Sequence, residues 1–587
     1  MLVLVVYGAL ALLAYWPVWP GDPYRLAATG GYDITQNVWF IQWVPFALTH
    51  GHNPFFSSWV NYPDGVNVIN NASMPLLGFV TSPLTLAVNA ISSMNLLMWL
   101  AFPLSAFAMY VVLRRLRASD LGAFFGGLLY GFSPYMVAQG GSHLNLEFVP
   151  LPPLIFLCAY ELVIKECEKP IRWGLLLGLC CAGQLLIAPE ILATSATMLI
   201  IGLLLLAARY PRLAVARLRT AARGLAVFVV LFVAVGAYPL WFTFAGPQHF
   251  IGRPWGYNNG FHSDLLSAIV PTDNQAVGPQ HLKAIGTSYV YNDVTENGGY
   301  LGIPLILLAS WWVVRFRRDL RFVWLGIMTV VVYACSLGVQ LVVNGHVTSV
   351  WLPFNVLDSL PIVDGALAVR LCLYVMMFVA VIVALGLDAT VATWRSAAEG
   401  KHRGGERLRR RAAVASCVLL GAAVVSLCPS WPYPLLRTDL PHFFESASVR
   451  EIPIGSVALV YPYPSDLAAE GMLWQAASDM RFKLLGGYVM TPGPGDAVNH
   501  DVTVLYPDTV QELFAYQFSG LRAPRISIRA LLQLGAPTLR SFVMRNKVAV
   551  VMVDLSALHS APIVELVSDA FGPPQFDGGG VMIWLRP

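Results

Sequence analysis

Long apolar runs recur along most of the chain. They fall at 1–19, 94–113, 121–139, 147–164, 173–189, 191–208, 224–245, 298–314, 322–343, 367–389 and 413–430. Each is close to the roughly 20 residues that a helix needs to cross a bilayer. The pattern predicts a mainly α, polytopic membrane protein with about eleven transmembrane helices. Three stretches break the rhythm. Residues 34–50 mix apolar and polar positions at helical spacing. They predict an amphipathic helix on the membrane surface, with Trp39, Phe40, Trp43 and Phe46 as its apolar anchors. Residues 74–91 are apolar but are broken by Pro75, Gly78 and Pro83. A span there would put neighbouring loops on the wrong side, so an interfacial or re-entrant segment is expected. Beyond residue 430 the period changes. Ser456–Tyr461 and Lys547–Asp554 read as buried strands, and 465–478, 508–517 and 561–571 as helices. The expected organisation is a transmembrane domain over 1–430, with 20–92 and 246–297 as its longest outer loops. An extracytoplasmic α/β domain follows over 431–587.

Composition agrees with the membrane reading. The chain has 587 residues, 57% hydrophobic and 12% charged, about half the charge of a soluble domain. The net charge of +4 gives no reason to expect nucleic acid. The placement of charge is more informative. Of 37 Lys and Arg, 22 lie in five short clusters: Arg114–Arg117, Lys165–Arg172, Arg209–Arg223, Arg315–Arg321 and Arg395–Arg411. The positive-inside rule puts these in the cytoplasm, with the N-terminus. Before residue 431 the remaining basic residues are Arg25, Arg253, Lys283 and Arg370, so the segments that hold them are expected outside. The eight cysteines lie in or beside apolar runs, with no zinc spacing and no disulfide framework.

The chemistry must then come from the outer loops. The sequence has no Gly-rich phosphate loop, no H-E-x-x-H and no G-x-S-x-G. An enzyme outside the cytoplasm has no ATP or nucleotide sugar to draw on, so an activated donor there is most simply lipid-linked. The loops carry Asp33 and Gln36, then His143, Asn145 and Glu147, then Glu190. The fourth carries His249, Arg253, Trp255, Tyr257, His262, Asp264 and Glu296, and the fifth Asp364 and Arg370. Each has a structural alternative. Asp33 can cap the helix that starts at Ile34. His143 and Glu147 are an ordinary i,i+4 pair. Glu190 and Glu296 can be turn acids. Arg370 can snorkel to the interface, and Trp255, Tyr257 and Tyr300 can anchor there. Arg370 is nevertheless the strong cation entering an outer helix end, and Arg suits phosphate geometry.

The arrangement resembles the GT-C superfamily of integral-membrane glycosyltransferases. The resemblance rests on Asp33 soon after the first helix, an interfacial helix after it, many spans and an outer C-terminal domain. The stretches Gly51-His-Asn-Pro-Phe55, Tyr62-Pro-Asp-Gly-Val-Asn67 and Glu296-Asn-Gly-Gly-Tyr-Leu-Gly302 are similar to uncharacterised bacterial members, including the YfhO-like group. The resemblance implies a polyprenyl-phosphate sugar donor and a glycan, lipid or protein acceptor. It implies Asp33 as general base, with Arg370 and His143 at the donor phosphate. Gln36, Asn145, Glu147, Trp255, Tyr257 and Glu296 would bind substrate. If a divalent cation (Mg or Mn) is used, Asp33 and Glu296 are the acids to hold it. One departure stands out: Asp33 is flanked by Tyr32 and Ile34, where many members have a paired acid. A flippase of lipid-linked sugars and a non-catalytic envelope-assembly protein are the rival readings. A sequon, Asn71-Ala-Ser73, is also present.

Overall fold

A computed structural model describes residues 1–18, 25–29, 31–250, 261–360, 362–398, 406–436, 440–466, 468–493, 498–499, 508–515 and 535–587. Among these, six of the expected spans are helices long and apolar enough to cross a membrane. They are Ala90–Arg115, Asp120–Gln139, Leu144–Ile164, Pro189–Arg209, Pro211–Ala245 and Ala368–Arg395. Leu2–Val18, Ile303–Arg315, Leu320–Ser336 and Arg411–Ser426 are shorter apolar helices. The segment expected to dip into the membrane is the helix Pro75–Ala87. Its 13 residues give a length of about 20 Å, short of a bilayer core. The run expected at 322–343 stops at Ser336. Its last residues instead form a hairpin, Gln340–Val343 with His346–Trp351.

Close packing follows small residues. A Cβ on Gly174 would meet the Gly224 carbonyl oxygen at 2.1 Å, so the helices Pro170–Leu185 and Pro211–Ala245 touch backbone to backbone there.

The helix expected on the membrane surface is Asp33–Thr49, and its position corrects that expectation. Every residue from Ile34 to Ala47 is buried. Trp39, Phe40, Trp43 and Phe46 do not face lipid. They share a core with Trp59, Phe444, Trp474, Met480, Met552 and Ile583. The physical reason lies in the polar residues between them. Gln36, Asn37 and Gln42 spread round the helix, so it has no single apolar face to lay on a bilayer, and all three are buried with partners.

Two of those partners, the Tyr488 carbonyl and Asp479, come from turns beside a five-stranded sheet near the C-terminus. In chain order the strands are β1 (Ser456–Tyr461), β2 (Phe482–Leu484), β3 (Val548–Asp554), β4 (Phe576–Gly578) and β5 (Val581–Leu585). The spatial order is β4-β5-β3-β1-β2. The centre is parallel, with β1 pairing β3 on one side and β2 on the other, while β5 runs antiparallel to β3. The expected strands at 456–461 and 547–554 are therefore the two central ones. Helices at Glu470–Ala477, Thr509–Phe514 and Ser560–Phe571 fall within or close to the expected ranges.

Alternation along the strands sorts side chains to two faces. Ala458, Val460, Val550, Met552 and Ile583 join the tryptophans of the Asp33–Thr49 helix. Val457, Leu459, Val551, Val553 and Trp584 pack under Phe542, Ile563 and Val567. One side chain ties the first face together. Gln475 accepts from Trp39 Nε1 at 2.5 Å and donates to the Trp59 and Phe482 carbonyls at 2.9 and 2.5 Å.

Replacing Gln475 by Leu leaves a buried indole N–H and two buried carbonyls without that partner. Chemical denaturation in detergent, followed by tryptophan fluorescence, should show a loss of about 2–4 kcal/mol. Gln475→Glu, which sets carboxylate oxygen against the two buried carbonyls, should lose at least as much.

Candidate active site

Asp33 is the first residue of its helix, where a negative charge meets the positive end of the helix dipole. It makes no capping bond to that helix. Its Oδ1 instead accepts from the Tyr488 hydroxyl at 2.9 Å and faces His143 Nε2 at 3.6 Å. His143 is delivered by the tight turn Gln139–Ser142. The Asn37 amide holds this turn to the Asp33–Thr49 helix by donating to the Ser142 carbonyl at 3.0 Å. Gly141 fits because nothing larger would: an added Cβ would meet Thr29 Oγ1 at 2.2 Å.

From His143 the polar contacts continue without a break. His143 Nδ1 lies 2.8 Å from Gln139 Oε1, and Gln139 Nε2 donates to Glu296 Oε2 at 3.2 Å. Glu296 Oε1 accepts from Arg370 Nε and Nη2 at 3.1 and 2.5 Å. Arg370 Nη1 donates to Glu190 Oε2 at 2.6 Å. The result is one line of side chains: Tyr488, Asp33, His143, Gln139, Glu296, Arg370, Glu190.

The line has a direction. An ionised carboxylate only accepts, so the Gln139 amide must turn its nitrogen to Glu296 and its oxygen to His143. His143 Nδ1 is then the donor, and Nε2, facing Asp33, is the nitrogen that gains or loses a proton. Burial raises the Asp33 pKa, but the charge of His143 and hydrogen bonds from His143 and Tyr488 outweigh it and hold the carboxyl down at about 2. Burial opposes charge on His143, but Asp33 beside it lifts its pKa above the ordinary value. Glu296 is likewise pushed up by burial and pulled further down by Arg370 and His143.

Asp33, Gln36, His143, Asn145 and Arg370 all line one cavity of about 310 Å³, as expected for a shared site. Asp33 is 32% exposed and Arg370 only 14%. Two expectations are corrected. Glu147 does not line the cavity: it is fully buried beneath the Tyr15 hydroxyl, 3.1 Å from Oε1, because its helical turn points it back into the bundle. Glu296 does not face the cavity either. It lies 3% exposed behind Arg370 and holds it. Trp255, Tyr257 and Arg253 lie outside the described residues. Asp264 is structural, capping the turn Leu265–Ala268 and accepting from the Asn344 and Gly345 amides. The sequon Asn71 is buried with both ends of its amide bonded to backbone.

Asp33 and Glu296 are joined through His143 and Gln139 rather than facing one another. Among the described residues no three His, Cys, Asp or Glu side chains converge on one point. This donor set does not fit a divalent ion between Asp33 and Glu296.

Sequence reasoning missed Gln139, Tyr488 and the cavity residues Asn37, Asn70 and Ser73. Gln139 stands four residues before His143 and was open to the same i,i+4 logic. Tyr488, 455 residues from Asp33, carried no local signal.

The model of a domain of unknown function, DUF6311, matches residues 4–398. No curated protein matches the sequence. Among solved structures, the chain is similar to the arabinofuranosyltransferase AftD from Mycobacteria. The TM-score is 0.53 at 14% identity, covering 99% of this chain and 40% of that one. The apo oligosaccharyltransferase from Archaeoglobus fulgidus gives 0.49 at 12%, covering 94% and 69%. ArnT from Cupriavidus metallidurans gives 0.45 at 10%, covering 99% and 96%. The likeness to AftD is one of fold.

The ionic pair makes a pH prediction. His143 has a raised pKa, so its share of stability is full below pH 6.5 and is lost as pH climbs through the folded value. Asp33 has a depressed pKa, so its share is present above 3.8 and is lost as pH falls toward 2. NMR titration of labelled histidine should give a His143 midpoint above 6.5 that drops below it in Asp33→Asn.

Proposed function

We propose that this chain, which belongs to the DUF6311 family, is a glycosyltransferase of the bacterial plasma membrane. It moves a sugar from a polyprenyl-phosphate donor to a glycan, lipid or protein acceptor of the cell envelope. The observation that carries the reading is Asp33. It is an ionised carboxylate at a cavity wall, fixed by Tyr488 and His143, within a GT-C-type fold.

In this mechanism the acceptor hydroxyl approaches Asp33, which takes its proton as general base. The hydroxyl oxygen bonds to the anomeric carbon while the bond to the lipid phosphate breaks, with inversion. A carboxylate with a pKa of about 2 is a weak base. It suffices when the transition state resembles an oxocarbenium ion, because the hydroxyl becomes acidic only as it bonds. His143 stays protonated on Nδ1 toward Gln139 and keeps Asp33 oriented. Arg370 spends three of its five N–H groups on Glu296 and Glu190, which leaves two for the departing phosphate. No step is routed through a metal ion.

The polar line favours this over transport. Glu190 and Arg370 stand in the first turns of their helices, not at mid-span where carriers place their ionisable groups. A non-catalytic assembly role is favoured by one observation, that Arg370 is already matched by two carboxylates.

Purified protein supplied with radiolabelled polyprenyl-phosphate sugars decides between them. Asp33→Asn should lower transfer about 10²–10⁴-fold while the protein keeps its thermal stability to within a few degrees. Turnover by Asp33→Asn at the wild-type rate would remove Asp33 from the mechanism.

A further inference from the structure

A second cavity, of about 270 Å³, opens among five helices toward their other ends. Its walls come from Ala90–Arg115, Leu144–Ile164, Pro189–Arg209, Leu320–Ser336 and Ala368–Arg395. Two of these helices serve both cavities. Pro189–Arg209 brings Glu190 to the Asp33 cavity, and Met198, Leu203 and Leu206 to the second. Ala368–Arg395 brings Arg370 to the first, and Met377, Phe378 and Leu385 to the second. At 1.5 Å per residue, Glu190 and Leu206 stand about 24 Å apart along their helix. One headgroup cannot reach both places.

The lining is apolar except toward one end. Phe378 meets Phe156 and Trp324 edge to face, with ring centres 5.9 and 5.8 Å apart. Trp324 donates to the Gly202 carbonyl at 3.4 Å, and a Cβ on Gly202 would meet its ring at 2.8 Å, so the indole is held as a wall. Among the described residues, the other polar side chains on the lining are Tyr160 and Arg321. Tyr160 and Ile164 begin and end a π-helical turn, a departure that recurs at functional sites. Arg321 is exposed, and Asp319 takes its Nε–H and one N–H of Nη2, which leaves three of its five N–H groups to other acceptors. The segments 114–120, 161–172, 209–223 and 315–321, which flank this end, hold 15 Lys and Arg against 5 Asp and Glu. Asp120, Glu161 and Asp319 pair with Arg114, Arg115, Lys165 and Arg321, and positive charge remains in excess.

Size, place and charge together select an occupant. An apolar space left empty forfeits the dispersion contacts of its lining. A helix is about 10 Å across with its side chains, too wide for this space, whereas a hydrocarbon chain fits. The cavity lies between membrane spans, so the chains that reach it are those of the bilayer. A lipid whose tail enters here carries its headgroup to the basic end, where the remaining N–H groups of Arg321 suit phosphate oxygens. Excess positive charge at that end favours a headgroup with net negative charge. We infer that this cavity binds an anionic phospholipid from the leaflet on the side of the basic clusters, with one acyl chain against Leu203 and Phe378 and its phosphate at Arg321. The site is independent of the transferase reading, in which the donor phosphate lies at Arg370, at the other end of the same helices.

Photo-crosslinking on the full chain in lipid nanodiscs tests it. The probes are phosphatidylglycerol and phosphatidylethanolamine with a diazirine on one acyl chain, and adducts are mapped by mass spectrometry. The residues to watch are Met377 and Phe378, which are buried and line the cavity. Phosphatidylglycerol should label them about fivefold more than phosphatidylethanolamine, the preference that one basic residue gives an anionic headgroup. Arg321→Gln should bring the two lipids to within about twofold of one another, and its exposed position keeps folding out of the result. Leu203→Trp, which fills the space, should remove most of the labelling by either lipid; if that variant folds poorly, the Arg321→Gln ratio still decides. Equal labelling by the two lipids in the wild type, or a ratio untouched by Arg321→Gln, would overturn the site. No labelling of Met377 and Phe378 would overturn it too, since a second copy of the chain or another protein would then cover the space. Unlabelled polyprenyl phosphate in excess should leave the labelling unchanged, and displacement by it would hand the cavity to the donor's tail and end the proposal.

Discussion

Charges withdrawn from water must be answered by other groups, and in this protein each buried charge of the site is answered twice. Asp33 has Tyr488 and His143; His143 has Asp33 and Gln139; Glu296 has Gln139 and Arg370; Arg370 has Glu296 and Glu190. Removing one partner of such a pair exposes the other to the full cost of desolvation. The geometry of the cavity therefore depends on the whole line. Six separate segments, widely spaced in sequence, are fixed relative to one another by it, and no single segment carries the site alone.

A neutral side chain sits at the centre of this arrangement and sets its polarity. Gln139 carries no charge, yet it decides which nitrogen of His143 holds a proton, because Glu296 claims its amide nitrogen. Information about the far carboxylate thus reaches Asp33 as an orientation and not as a field. The same logic fixes Asn37 and Asn70, whose amide nitrogens are claimed by the Ser142 and Phe250 carbonyls.

The ionic members of the site were legible in the sequence, and its neutral members were not. Asp33, His143, Glu296 and Arg370 stood out because charge is rare in an apolar chain and they fell at one end of the expected spans. Gln139 and Tyr488 did not stand out, since neutral polar residues are common at helix ends and in loops. The aromatic run from Trp39 to Phe46 was misassigned for a different reason. Sequence records that a residue is apolar but not what covers it, and lipid and a β-sheet leave the same trace. Gln36, Asn37 and Gln42 were the clue, because amides scattered round a helix suit a protein interior with partners better than a bilayer surface. Glu147 was misplaced because i,i+4 spacing puts two residues on one helix face but not facing the cavity.

The distance between Asp33 and Tyr488 along the chain has a consequence for biosynthesis. The hydroxyl that fixes the carboxylate is translated 455 residues later. At about 5–20 residues per second, that is a delay on the order of half a minute to a minute and a half. During that interval the spans can insert and the first-loop helix can form, while its tryptophans still lack the sheet that buries them. A ribosome-bound chain therefore holds an unfinished site in the membrane, and the nascent protein stays idle until its last strands are in place.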